Sequence, residues 1–299
     1  MMQLFTVVRY GNLFYMFYII VALIITLIVV KYLKPKSERF RFWFLFGILM
    51  SALIVHFLKI FIYPYTTLDF VYRKVSLENI CAVSTIIFPF IYFTKNKVLK
   101  DYMIMVGLAS GFLTFLFPID AVSPMFDGEP LHVKNAFSLE VIRFYYAHFA
   151  LFLVPFLMMH FKMHQISIKR SLMMPAMLLI VLLIIYINEL VLTAIGWVPK
   201  ENLYNPEKRN PSLIFGFKDS VTGISVLMTM FVPAFFTVGP ISGEAFYWPV
   251  IWMIIPVYVY GMMIALTFCY IYDKEQTINV FKRILRLDQD DGYEKNTRE

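Results

Sequence analysis

The chain alternates long apolar runs with short polar, mostly basic, turns. Runs near 13–31, 42–63, 77–93, 101–118, 141–160, 173–196 and 246–272 are each long enough to cross a hydrocarbon core of about 30 Å as a helix. The pattern predicts an all-α, polytopic helical membrane protein of about seven transmembrane helices. One further run, Val221–Val238, is apolar enough to span. Gly223 and Pro233 interrupt it, so it reads as a re-entrant or protein-packed element, because irregular backbone at membrane depth must be satisfied by protein or water; an arrangement of eight spans stays open. The first run lacks a small-residue cleavage site and is followed by Lys31, Lys34 and Lys36, which reads as an uncleaved span. Past the last span, Thr277–Leu287 has apolar residues at helical spacing with Lys282, Arg283 and Arg286 opposite, the pattern of a helix lying on anionic lipid. Asp288–Asp291 reads as solvated. With no repeat or linker, the expected organisation is one membrane domain, 1–272, and a charged tail, 273–299.

Composition agrees. Hydrophobic residues make up 60% of the 299, charged residues only 16%, and mean hydropathy is +0.70, outside the range of soluble domains. Of the 27 lysines and arginines, 17 fall on one side of the predicted topology and 9 on the other, with Lys59 inside a span. The bias of basic residues toward the cytoplasm predicts a multi-pass protein of the cell membrane with its N-terminus outside and its C-terminus in the cytoplasm. The net charge of +7 follows topology rather than forming a groove with stacking aromatics, so nucleic acid is not an expected partner. Tyr247, Trp248 and Trp252 fit an interfacial belt. The two cysteines, Cys81 and Cys269, fall near opposite ends of their spans, too far apart for a disulfide.

The ionisable and nucleophilic side chains within the spans share one depth. From the rise of a helix, Cys81 and Lys59 lie about 6 Å, and His56, His148 and Glu189 about 10 Å, below the outer boundary. Charge in lipid is expensive and usually kept for a site, so a shared pocket is expected. Glu78 and Cys81 are three apart, as are His56 and Lys59, so each pair shares a helix face. A thiol beside a base becomes a nucleophile. Cys81 with His148 as base, and Glu189 or Asn188 as orienter, would then suit acyl transfer, with His56, Lys59, Glu78, Asn79, Arg143 and Asn188 against the substrate. Plainer readings stand beside this one: a buried cysteine packs, an intramembrane histidine bridges helices, and Glu189 pairs with Lys59. A different class is a proton- or solute-coupled transporter built on Lys59, Glu78 and Glu189, although no repeat supports it; a third is a non-catalytic membrane scaffold. His160 and His164 have metal-ligand spacing without a third ligand nearby, so no metal and no cofactor are expected. Gly107 and Gly111 form the GxxxG spacing that lets helices approach closely.

Ser76–Pro118 opens a span with Cys81, continues through a basic turn (Lys95–Lys100) and a span containing Gly107, and ends at Pro118. Tyr145–Phe149 (YYAHF) opens another span around His148, and Asn188 precedes the run Asn205–Ser212, N-x-x-K-x-x-P-S. Over roughly residues 70–215 this resembles the bacterial YwaF family, whose eukaryotic relative is transmembrane protein 164. The resemblance implies an integral membrane acyltransferase that moves an acyl group to a lysolipid through a cysteine, here Cys81, with a membrane phospholipid as partner. Two positions depart from the family: Asn79 stands where it has histidine and Leu77 where it has proline. If that histidine is the family's base, this chain either relies on His148 alone or is inactive.

Overall fold

The structure is a computed structural model that describes residues 6–123, 125–126, 129–130, 134–209, 211–217, 222–239 and 245–285. Among the described residues, six helices are long and apolar enough to cross a membrane. They are α1 (Leu13–Leu33), α2 (Glu38–Leu58, continued by a 3-10 turn to Phe61), α4 (Lys97–Leu116), α6 (Leu139–His160), α7 (Met173–Ala194) and α9 (Ile254–Tyr272, entered through a 3-10 turn from Ile251). Between α2 and α4 runs a shorter helix, α3 (Ile80–Phe93), and α5 (Ile119–Val122) is a single turn. A two-residue β-hairpin pairing Met125–Phe126 with Glu129–Pro130 is a minor addition. The architecture is all-α and polytopic, as the apolar runs predict.

The two ends of the bundle can be told apart by contacts with α4. Tyr15 at the start of α1 donates to the carbonyl of Leu116 at the end of α4 (3.1 Å), whereas Asp273, just past α9, shares a cavity with Lys97 at the start of α4. The chain therefore begins at one end of the bundle, here the proximal end, and leaves at the other, the distal end.

α4 is the central post. Residues 101–108 are buried without a break, and α4 lies against α6 closely enough that side chains are excluded. A Cβ on Gly107 would come within 2.6 Å of the Leu151 carbonyl, and one on Gly111 within 2.5 Å of Phe152 Cβ. In lipid, where apolar surface alone gives helices little reason to associate, such backbone approach is a main source of packing. By contrast α1 is peripheral: it buries only Tyr18 and Leu33, and Leu13, Leu23, Leu27 and Ile28 face outward. Tyr18 stacks on Tyr145 at 3.8 Å and donates to the Ala136 carbonyl at 2.6 Å, which fixes α1 to α6 at the proximal end.

α3 is where the apolar pattern misleads. The run begins near residue 77, but Asn79 caps the helix, its Oδ1 accepting the Ala82 N–H at 2.8 Å. The 14 residues that follow cover only about 21 Å, short of a hydrocarbon core. Residues 59–79 join α2 to α3 through three 3-10 turns, Lys59–Phe61, which continues α2, Tyr65–Thr67 and Val71–Val75. Irregular backbone of this kind needs partners for its polar groups. Here the His56 ring pairs with the Val75 carbonyl (3.2 Å) and Ser76 Oγ with that of Arg73 (2.6 Å).

The run Val221–Val238 does not form a span. Its described part is α8 (Thr222–Thr229, 8 residues), about 12 Å long, followed by a turn that leads the chain back, with Trp248 N–H donating to Phe236 O at 3.0 Å. Tyr260 on α9 ties it down by donating to Leu227 O (2.6 Å). The amphipathic segment after α9 is a helix, α10 (Lys274–Ile284), with Phe281 and Ile284 exposed on one side. Asp288–Asp291 and the end of the 277–287 segment lie outside the described residues.

Candidate functional site

The proximal end collects the buried charge. Lys59, at the end of α2, sits 3.7 Å from Glu78, and Glu78 also takes Lys74 at 3.2 Å. In the first turn of α6, Glu140 receives both Nε and Nη2 of Arg143 at 2.7 Å and the hydroxyl of Tyr65 at 2.9 Å; Arg143 Nη2 lies 2.9 Å from that same hydroxyl. The Lys59 ammonium and the Arg143 guanidinium both lie over the Tyr65 ring, at 5.5 and 5.4 Å. Tyr65 thus joins the two pairs into one cluster. Burial raises the Glu78 carboxyl, but Lys74, Lys59 and Arg209 outweigh it and hold it below the ordinary carboxylate range. Burial also keeps the Tyr65 phenol protonated, its pKa pushed well above the ordinary value despite Arg143, as a donor to Glu140 requires.

A second pair lies beside the first. Glu189, fully buried near the end of α7, accepts Arg209 Nε at 3.0 Å and a second, shorter bond from Arg209 Nη2. Lys59 and Glu189 do not pair with each other; each has its own partner. Next to Glu189, Asn188 donates to Ser76 Oγ at 3.1 Å.

These bonds converge on the first turn of α3. Ser212 Oγ accepts the Ile80 N–H at 2.9 Å, Asn79 accepts that of Ala82, and Cys81 lies between them. Ser212 adopts φ +52°, in the left-handed region that most residues avoid. The Asn205–Ser212 run therefore has a physical role: Arg209 grips α7 and Ser212 grips the start of α3. Cys81 is partly exposed, and its carbonyl accepts Thr85 Oγ1 at 2.8 Å.

His148 lies on α6, and its Nδ1 is 2.8 Å from the Phe144 carbonyl. A carbonyl only accepts, so Nδ1 is the donor in this pair. Below Cys81, α3 meets α4 and α6 where Gly107 faces Phe88 and Leu151. At the rim, Leu77, Ile184, Ile187, Asn188 and Val191 line an apolar groove of about 270 Å³.

Of the residues singled out by sequence, the structure gathers Lys59 with Glu78, sets His56 against the backbone that leads into the cluster, and gives Asn79 a capping bond. Arg143, expected against a substrate, is held by Glu140 and Tyr65. Sequence reasoning missed Glu140, Tyr65, Arg73, Lys74, Ser76, Arg209 and Ser212. Glu140, i, i+3 from Arg143, and Lys74, i, i+4 from Glu78, carried a readable spacing. At the distal end, His164 bonds to Asp101 (2.6 Å) instead of pairing with His160.

The sequence signature of the TMEM164 family matches residues 4–214 of the chain, a span that holds the whole proximal cluster. No curated protein and no solved structure matches it.

Proposed function

The chain belongs to the TMEM164 family of membrane proteins, and from that membership and the proximal cluster we propose that it is a phospholipid acyltransferase with Cys81 as nucleophile and His148 as general base. One observation supports the reading: Glu78, of a buried cluster that sets Lys59, Lys74 and Arg143 against Glu78 and Glu140, and Leu77, of an apolar groove, stand in the four residues before Cys81. A phospholipid ester needs that combination. Its phosphate calls for cations, its chain for an apolar slot, and its carbonyl for a nucleophile at the boundary between them. The N-terminal end of α3 carries the positive end of the helix dipole, which favours a thiolate at Cys81.

In the proposed reaction, His148 Nε2 takes the Cys81 thiol proton and the thiolate attacks the acyl carbonyl. The ester C–O bond breaks, the departing lysolipid alkoxide takes the proton back from His148, and the acyl group remains as a thioester. A lysolipid hydroxyl, deprotonated by the same ring, then attacks the thioester, releasing the new ester and returning the proton to sulfur. Glu189, tied to Arg209, and Asn188, tied to Ser76, hold α7 against the start of α3 and act by position; Lys59 and Arg143 form the cationic side. The distribution of basic residues supports a cell-membrane orientation with this end outside.

The test is incubation of purified protein with acyl-labelled phospholipid and lysolipid acceptor, with mass spectrometry of the protein. Label on Cys81 and loss of transfer in Cys81→Ser are expected. Transfer that persists in Cys81→Ser, with no label on the thiol, overturns the covalent route.

A further inference from the structure

α10 attaches to the bundle through its less apolar side. The helical path breaks at Asp273, whose φ of −145° and ψ of 55° are not helical, and α10 packs on α9 and on the 3-10 turn Ile168–Arg170. Ser167 Oγ donates to Gln276 Oε1 at 3.0 Å. Thr277 is 2% exposed, and Val280 lies partly buried against the core. Gln276, Thr277 and Val280 thus make the docked face.

The apolar residues point elsewhere. Ile278, Phe281 and Leu285, spaced i, i+3 and i+7, form one stripe and are 36%, 42% and 63% exposed. On a surface facing water the arrangement would be the reverse, with the apolar stripe turned toward protein. Lys274 and Lys282, each four residues from Ile278, flank the stripe on the same side of the helix, and both are exposed.

What covers the stripe follows from where the helix starts. α9 is long and apolar enough to cross the membrane and ends at Tyr272, one residue before α10 begins. α10 therefore starts at the boundary between acyl chains and headgroups. The charge around it is mostly positive: the α1–α2 turn brings Lys34 and Lys36, and the α3–α4 turn Lys95 and Lys97, to the same end of the bundle. An outward apolar stripe flanked by lysines, at that depth, matches a lipid layer that carries negative charge.

We propose that α10 is an amphipathic foot that lies in the headgroup layer at the distal end and selects anionic lipid. Ile278, Phe281 and Leu285 enter the acyl region, and Lys274 and Lys282 meet the lipid phosphates. Gln276, Thr277 and Val280 stay on the protein and hold the helix at that level. This surface does not depend on the chemistry at Cys81.

The experiment attaches a nitroxide at Phe281→Cys and, separately, at Asn279→Cys in full-length protein carrying Cys81→Ser and Cys269→Ala. The protein is reconstituted in vesicles of phosphatidylcholine alone or of equal parts phosphatidylcholine and phosphatidylglycerol. Access of oxygen, which concentrates in lipid, is compared with access of a water-soluble nickel chelate. In the anionic vesicles position 281 should be open to oxygen and closed to nickel, and position 279 the reverse. Without phosphatidylglycerol, or in Lys274→Gln with Lys282→Gln, the ratio of lipid-exposed to water-exposed signal at 281 should fall, by about fivefold per lysine. Nickel access at 281 in the anionic vesicles would place the helix in water; protection from both reagents would place it under a second copy or another protein. Either result overturns the proposal, and equal lipid exposure in the two kinds of vesicle overturns the selection for negative charge. A second measurement keeps both native thiols: brominated phosphatidylglycerol should quench the fluorescence that Phe281→Trp adds, and an unquenched signal counts against insertion.

Discussion

Glu189 and Arg209 hold each other through two hydrogen bonds, one from Nε at 3.0 Å, in a part of the protein where the carboxylate has no solvent exposure. A helix residue is joined to a loop residue 20 positions on, and Ser212, three residues farther along that loop, reaches the start of α3. The pair therefore ties α7 to the loop that holds the start of α3, the helix that carries Cys81.

Removing one partner is predicted to be worse than removing both. Arg209→Gln leaves a buried carboxylate uncompensated and should cost about 3–5 kcal/mol, whereas Arg209→Met with Glu189→Leu should recover most of that loss. Thermal unfolding of the single and double variants in detergent checks the order. A double variant no more stable than Arg209→Gln would mean that the pair does not set stability.

The Lys59–Glu78–Lys74 cluster predicts a pH dependence. Glu78 is held below the ordinary carboxylate range by Lys74 and Lys59 against the opposing effect of burial. A depressed carboxyl contributes stability that is present above its unfolded value, about 4.3, and is lost as pH falls through the lower folded value. The melting temperature of the wild-type protein should therefore drop on acidification below about pH 4. Glu78→Gln should start lower at neutral pH and fall less steeply. Parallel curves for the two proteins would show that Glu78 is not the group responsible.

Much of the fold was readable because lipid imposes long apolar runs and helices must satisfy their own backbone. Pro233 does stand past the end of α8, whereas Gly223 lies inside that helix. The depth argument brought Lys59 and Glu78 to the same end because each stands at the edge of a run. It could not give partners. Arg209 lies in a loop with no periodicity to aim it, so Glu189 was matched with Lys59. Tyr65 reads as one aromatic among many until the chain folds it between Lys59 and Arg143. The start of α3 was misplaced for another reason: hydrophobicity at Leu77 and Ile80 outweighed the capping signal of Asn79, which was present in the sequence.

Close packing of α4 on α6 gives a third prediction. A methyl group on Gly107 would meet the Leu151 carbonyl at 2.6 Å, which is backbone and cannot swing away. Gly107→Ala should destabilise the protein by about 1–3 kcal/mol, as overpacking does. Gly47, on α2, has nothing within 4 Å of its added Cβ, and Gly47→Ala serves as the control with little or no loss. Equal melting temperatures for the two variants would remove the close-packing account.

Asn79 gives the last prediction, because the cap separates a structural role from a chemical one. Its Oδ1 accepts the Ala82 N–H at 2.8 Å, and the resemblance described above would put a histidine at this position. If capping is the role, Asn79→Asp keeps an acceptor at the helix start and should preserve stability, whereas Asn79→Ala should lose about 1 kcal/mol. Asn79→His should lie with alanine in stability, since histidine is not among the favoured caps. Acyl transfer then reads the other role: it should follow stability across the three variants if Asn79 only holds the turn that carries Cys81. A well-folded Asn79→Asp protein without transfer would instead assign the amide to the chemistry, while higher turnover in Asn79→His than in wild type, despite the lost cap, would show that an imidazole beside the thiol assists the reaction.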